Sequence, residues 1–255
     1  MHCLSPLSVL PFVLAACATN TSTDTSDTSD TSDTNDTSDT SDTSDTSVTT
    51  AEVRFLHLSP NAPAVDVFMD DETTAIATNL AFTEGSAYFT LPAATHTVKI
   101  APTGMTPADA VLTINSLVLA KDKAYTAVAY DRLDSITGIA LEDDLSGIAS
   151  GDVRLQLTNT AGGIASMDLW DMAGPTRLVD NLAFGASMSV DGPAGAMVLG
   201  MDVNEDAVAD ELFTVPTLGT DTAVNVFLVK DATSVFLLTE KVNGAIGTLR
   251  PDTTN

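Results

Sequence analysis

The feature that most constrains this chain is that its sequence repeats. Val53-Arg54 returns as Val153-Arg154, Asp66-Val67-Phe68 as Asp168-Leu169-Trp170, and Asn79-Leu80-Ala81-Phe82 as Asn181-Leu182-Ala183-Phe184, at an offset of 100 to 102 residues. A module copied twice implies two similar cores, each near the usual size of one domain. The copies are assigned to residues 51–146 and 147–255, joined across Asp143 to Gly151. In the first copy, short runs rich in Val, Ile, Leu, Phe, Tyr and Thr alternate with turn formers such as Ser59-Pro60-Asn61-Ala62-Pro63. The strands predicted there are 52–58, 65–69, 76–80, 87–91, 97–101, 110–114, 125–130 and 136–141. No eleven-residue window carries a helical period. The pattern predicts an all-β chain of two tandem antiparallel β-sandwich modules, immunoglobulin-like or transthyretin-like.

The first fifty residues read differently. Leu4 to Ala16 is an apolar run of signal-peptide length, too short to span a bilayer. It ends Leu14-Ala15-Ala16-Cys17, which resembles the lipobox of bacterial lipoproteins. That resemblance implies a signal over 1–16, lipidation of Cys17, and attachment to a membrane that the chain does not cross. The stretch before the run has His2 but no Lys or Arg, a departure from the usual positively charged start. Cys3 would leave with the signal, so no disulfide is expected despite export. From 17 to 50 the chain is almost pure Thr, Ser and Asp, with acids from Asp24 to Asp45 at every third position. Such a stretch cannot bury enough apolar surface to order itself and is expected to be a disordered tether reaching at most about 110 Å. Together these place the protein at the cell surface, in the outer membrane of a Gram-negative bacterium.

Charge removes one large class of function. The whole chain carries a net charge of −25, and the acidity is shared: 13 acids to 5 bases over 51–144, and 13 to 4 over 151–241. A nucleic-acid partner needs a basic surface that neither module has.

The stretch Val53-Arg54-Phe55-Leu56-His57-Leu58-Ser59-Pro60-Asn61-Ala62-Pro63-Ala64-Val65-Asp66-Val67-Phe68, followed by Asn79-Leu80-Ala81-Phe82 and Tyr88-Phe89-Thr90-Leu91-Pro92-Ala93, resembles the family called domain of unknown function 4397. The resemblance implies a β-sandwich that opens on a strand, a His-x-Ser-Pro-Asp-Ala-Pro turn and a Val-Asp-Val-Tyr strand, tandem copies, and export from bacteria. It brings no activity. In the second copy the turn has become Thr158-Asn159-Thr160-Ala161-Gly162-Gly163, without His, Ser or Pro.

Few groups are candidates for chemistry. His57 and Ser59 lie two apart and could share one strand face as base and nucleophile, but no third orienting group and no Gly-x-Ser-x-Gly elbow accompanies them, so a turn signature is expected. His96 is expected on a solvent-facing strand. Asp66 and Asp168 recur inside apolar strands, either pointing outward or capping a neighbouring turn. Trp170, aligned with Phe68, is expected in packing. Asp202, Asn204, Asp206 and Asp210 have the alternate spacing of a calcium loop, although Ala207 stands where such loops carry Gly and Phe213 where they carry a bidentate Glu. The expected function is non-catalytic: a surface lipoprotein whose modules make adhesive or structural contacts with a protein or polysaccharide, with calcium as the one cofactor considered. Cation or carbohydrate binding is the alternative, and a surface hydrolase using His57 and Ser59 stands well behind both.

Overall fold

The computed structural model describes residues 48–252 apart from 175 and 205. The signal, Cys17 and most of the tether lie outside the described residues.

The first half contributes eight strands: β1 (Thr50–Leu58), β2 (Val65–Met69), β3 (Ala77–Leu80), β4 (Phe89–Pro92), β5 (Thr95–Pro102), β6 (Leu112–Val118), β7 (Ala124–Tyr130) and β8 (Thr137–Glu142). The second contributes nine: β9 (Asp152–Asn159), β10 (Asp168–Asp171), β11 (Thr176–Val179), β12 (Ser187–Pro193), β13 (Met197–Asp202), β14 (Glu211–Val215), β15 (Thr222–Lys230), β16 (Val235–Lys241) and β17 (Ile246–Leu249). Each of the eight strands predicted in the first copy is present.

The sheets duplicate as the sequence does. One sheet of the first half runs β4-β1-β7-β8 and its counterpart runs β12-β9-β15-β16-β17; the other pair runs β3-β2-β5-β6 and β11-β10-β13-β14. Strand for strand the order is the same, with β17 added at one edge. The expectation of purely antiparallel sheets needs one correction, because β1 lies parallel to β7 and β9 parallel to β15. Between β1 and β7 the chain passes through the whole opposite sheet, and so long a crossover lets a strand return in the same direction.

Among the described residues three apolar clusters hold the fold. Val53 and Phe55 of β1 meet Val65, Val67, Val98 and Ile100 inside the first sandwich. Leu155, Leu157, Leu169, Met201, Val226 and Leu237 do the same in the second. The third cluster joins them: Leu56, Leu58, Val128, Tyr130 and Leu141 of the first half pack against Phe227, Val229, Phe236 and Leu238 of the second. The β1 and β15 sheets thus press their outer faces together, and four sheets stack in layers. This explains why β1 and β15 are almost continuously buried. In sequence β15 is an apolar run broken only by Asn225, as a strand covered on both faces tends to be, whereas β1 carries Arg54 and His57 among its buried apolar residues.

Candidate functional site

His57 is 1% exposed and Ser59 is fully buried. His57 Nε2 stands 3.3 Å from the Pro63 carbonyl, across the turn that the Ser-Pro-Asn-Ala-Pro sequence makes. Burial pushes the imidazole below its ordinary pKa, with the Pro63 carbonyl opposing in part, so the ring tends to stay neutral. Neither side chain faces solvent where it could meet a substrate.

The repeated aspartates cap turns. Asp66 Oδ1 accepts from the Asn79 amide at 2.8 Å, and Asp168 Oδ1 accepts from the Asn181 amide at 2.8 Å. Both asparagines are left-handed, with φ of 55° and 53°. Asn tolerates that region better than most residues, and the carboxylate satisfies the amide that the tight turn leaves over. Each turn then delivers the Phe of its Asn-Leu-Ala-Phe motif to the opposite half. Phe82 meets Phe236 edge-on at 6.2 Å, and Phe184 meets Tyr130 edge-on at 5.6 Å.

His96 lies on β5 but is buried rather than solvent-facing, at 7% exposure. The imidazole is close to its neighbours: its Nδ1 is 2.8 Å from Asp70 Oδ2 and its Nε2 2.9 Å from the Pro92 carbonyl. Both partners are acceptors, so the ring fits the site best as imidazolium. Trp170 sits half-buried on β10 with the Arg177 guanidinium 4.8 Å from its ring centroid, an aromatic–cation pair at the rim.

In the 202–210 loop the carboxylates and the Asn204 amide serve the loop itself. Asp202 Oδ1 accepts from the Asn204 amide and Oδ2 from the Ala207 amide, Asn204 Oδ1 accepts from Asp206, and Asp206 Oδ1 accepts from Val208. Asn204 Nδ2 donates to Asp210 Oδ1 at 3.0 Å. Ala207 takes φ of 65°, the left-handed conformation for which calcium loops use Gly. Among the described residues no cluster of three or more His, Cys, Asp or Glu side chains is arranged to hold a metal ion.

Two places have no counterpart in the sequence reading. At one end of the stack, turns from both halves enclose a polar cleft of about 100 Å³ lined by Pro60, Asn61, Asp131, Arg132, Thr160, Gly162, Lys230, Asp231 and Ala232. The turns are braced: Asn61 Oδ1 accepts from the Leu133 amide, and Thr160 Oγ1 donates to the Leu228 carbonyl at 2.6 Å. Asp231 accepts from Thr233 and Ser234 and is held down to about 2, so it is a carboxylate at any physiological pH. A Cβ at Gly162 would run into Asp131 Oδ1, so a larger residue there would make the Asp131 side chain turn aside. Arg132 and Lys230 are exposed at the rim. Opposite charges side by side in a small polar cleft suit hydroxyl and amide groups more than an apolar ligand.

The second place is the joint. Arg54 of β1 is fully buried between the halves. Its Nε donates to Thr126 Oγ1 at 2.8 Å, one terminal nitrogen donates to the Lys241 carbonyl of the other half at 2.8 Å, and its guanidinium lies 4.7 Å from the Tyr88 ring centroid. The other terminal nitrogen stands 3.3 Å from Glu240 and 3.6 Å from Asp143. Asp143 also receives the Tyr88 hydroxyl at 2.6 Å and Asn225 Nδ2, from the other half, at 2.7 Å. The segment expected to be a linker therefore begins with a residue locked inside the structure.

Residues 51–170 match the family model described as "Domain of unknown function (DUF4397)", a span that runs from β1 into β10. No curated protein matches the chain. A solved structure described as "a putative cell adhesion protein from Bacteroides ovatus" aligns over 77% of this chain and 96% of its own, at 9% identity and a TM-score of 0.18. A likeness at that level carries no argument about this chain.

Proposed function

We propose that the protein is a non-catalytic, lipid-anchored surface protein that makes adhesive or structural contacts through the cleft-bearing end of its two fused sandwiches. One observation carries this reading. The groups capable of chemistry, His57, Ser59, Asp66 and Asp168, are buried away from solvent, whereas turns from both halves converge at one end around Asn61, Asp131, Arg132, Lys230 and Asp231. Loops held on a rigid scaffold are where recognition concentrates. The mixed polar lining fits a polysaccharide or a polar protein segment as partner.

The test uses the full chain with Cys17→Ser, which should be released from the membrane fraction, applied to isolated cell envelopes and to purified surface polysaccharide. Retention of the soluble protein, and its loss in Arg132→Ala/Lys230→Ala, is the expected result. Equal retention by the double variant would overturn the site. A hydrolytic activity abolished by His57→Gln in an otherwise stable protein would overturn the non-catalytic reading.

A further inference from the structure

The joint contains three charged groups that face one another: Arg54 from β1, Asp143 at the end of β8, and Glu240 from β16. Tyr88 is the remaining titratable group against them, and burial followed by the Asp143 carboxylate raises its pKa above the ordinary value, so it stays neutral. One cation against two carboxyls leaves a surplus negative charge in a site without solvent access.

The hydrogen bonds show where a proton goes. Asp143 collects donors from Tyr88, Thr126 and Asn225, which together stabilise its ionised form. Glu240 collects none. Both its carboxyl oxygens are buried without a hydrogen-bond partner, and Arg54 approaches one of them only as a 3.3 Å ion pair. An ionised carboxylate stripped of water and given no donors costs several kcal/mol, and protonation is the least costly way out. Glu240 belongs to the second half, whereas Arg54 and Asp143 belong to the first. When the halves separate, water reaches Glu240 and the penalty disappears.

We propose that the two sandwiches are held by a proton-dependent clasp, in which closing the joint places one proton on Glu240 and opening it releases that proton. Burial, partly offset by Arg54 and reinforced by Asp143, raises the Glu240 pKa from its ordinary 4.5 to about 7, which sets the window. Between those two values the opened state binds one proton fewer than the closed state. The opening constant therefore climbs by up to about tenfold per pH unit between pH 5 and 7 and levels off above that.

The test measures rare opening by thiol labelling in the full chain, with Cys3 and Cys17 replaced by Ser. Val128→Cys places a probe in the joint, and Val67→Cys places a control inside the first sandwich; both positions are 1% exposed. After correction for thiolate fraction, labelling at 128 should rise about fortyfold between pH 5 and 7 and then level off, labelling at 67 should not share that slope, and Glu240→Gln should flatten it. Glu240→Met serves if the amide is not tolerated. A flat response at 128, the same slope at 67, or a slope that survives both variants would overturn the proposal. So would a Glu240 carboxyl found by carbon NMR to titrate near its ordinary value.

Discussion

Single residues in this protein act mainly by satisfying buried donors. Asp66 serves two amides, those of Asn79 and Gly104. Removing the carboxylate takes a charged acceptor from both amides, a bond of that kind contributing about 1.5–3 kcal/mol. Asp66→Ala should therefore unfold at markedly lower denaturant than the wild type, and Asp66→Asn, which keeps one acceptor, should fall between. His96 makes a prediction in pH. Burial opposes its charge, but the Pro92 carbonyl and the Asp70 carboxylate outweigh burial and raise its pKa. The sign follows: the folded state binds the proton more tightly, so the added stability is fully present below about pH 6.5 and lost as pH rises through the raised value. Melting midpoints from pH 5 to 8 should fall less in His96→Gln than in the wild type, the fall that remains in the variant being the one Glu240 contributes. Asp202 braces its loop through two amides, so Asp202→Ala should lower the midpoint with or without millimolar calcium. A wild-type midpoint that rises with calcium beyond matched sodium, and does so no longer in the variant, would instead assign Asp202, Asn204, Asp206 and Asp210 as ligands.

At the scale of elements, the unit that matters is the turn carrying Asn-Leu-Ala-Phe. Its first residue accepts the left-handed bend, and its last crosses to the neighbouring half, once in each direction. Gly185 follows the second copy at φ of 76°, where an added Cβ would stand 2.8 Å from the Tyr130 hydroxyl. Gly185→Ala combines backbone strain with that collision and should destabilise by about 1–3 kcal/mol, whereas Gly174→Ala, with nothing within reach, should be close to neutral. Chemical denaturation of the two variants side by side separates a joint contact from a general loss of glycine.

At the scale of the whole molecule, the third apolar cluster decides how the halves behave. A fragment of residues 51–146 would expose Leu56, Leu58, Val128, Tyr130 and Leu141 together with the Arg54 and Asp143 charges. It should melt below the full chain or self-associate, and calorimetry of the full chain should give one transition where two independent domains would give two. Arg54→Ala leaves two carboxyls facing an empty joint and should cost about 3–5 kcal/mol. Glu240→Gln should act in the opposite direction above neutral pH. The folded carboxyl keeps its proton to about pH 7 while the unfolded one releases it near 4.5, so wild-type stability falls across that interval and stays low. At pH 8 the amide variant should be the more stable by roughly 3 kcal/mol, read from denaturant midpoints.

Local chemistry determined the strands, the turns and the duplication, because each depends on residues near one another in the chain. The 65–69 strand was legible to the residue, and capping of a neighbouring turn was one of the two places expected for the repeated Asp66 and Asp168. What the repeat could not show was which faces of the copies meet. Arg54 and Arg154 occupy the same place in the two copies, yet Arg54 is buried in the joint while Arg154 lies nearer solvent and holds Asp191 at 2.7 Å. Asp143 looked like linker and Glu240 drew no reading at all, since nothing beside either in sequence marks a partner 89 or 186 residues from Arg54. The one local sign was the apolar run of β15, broken only by Asn225; β1 gave none, because Glu52, Arg54 and His57 interrupt it. Burial of a charge depends on what covers it, and here the cover is the other copy, placed only when the chain folds.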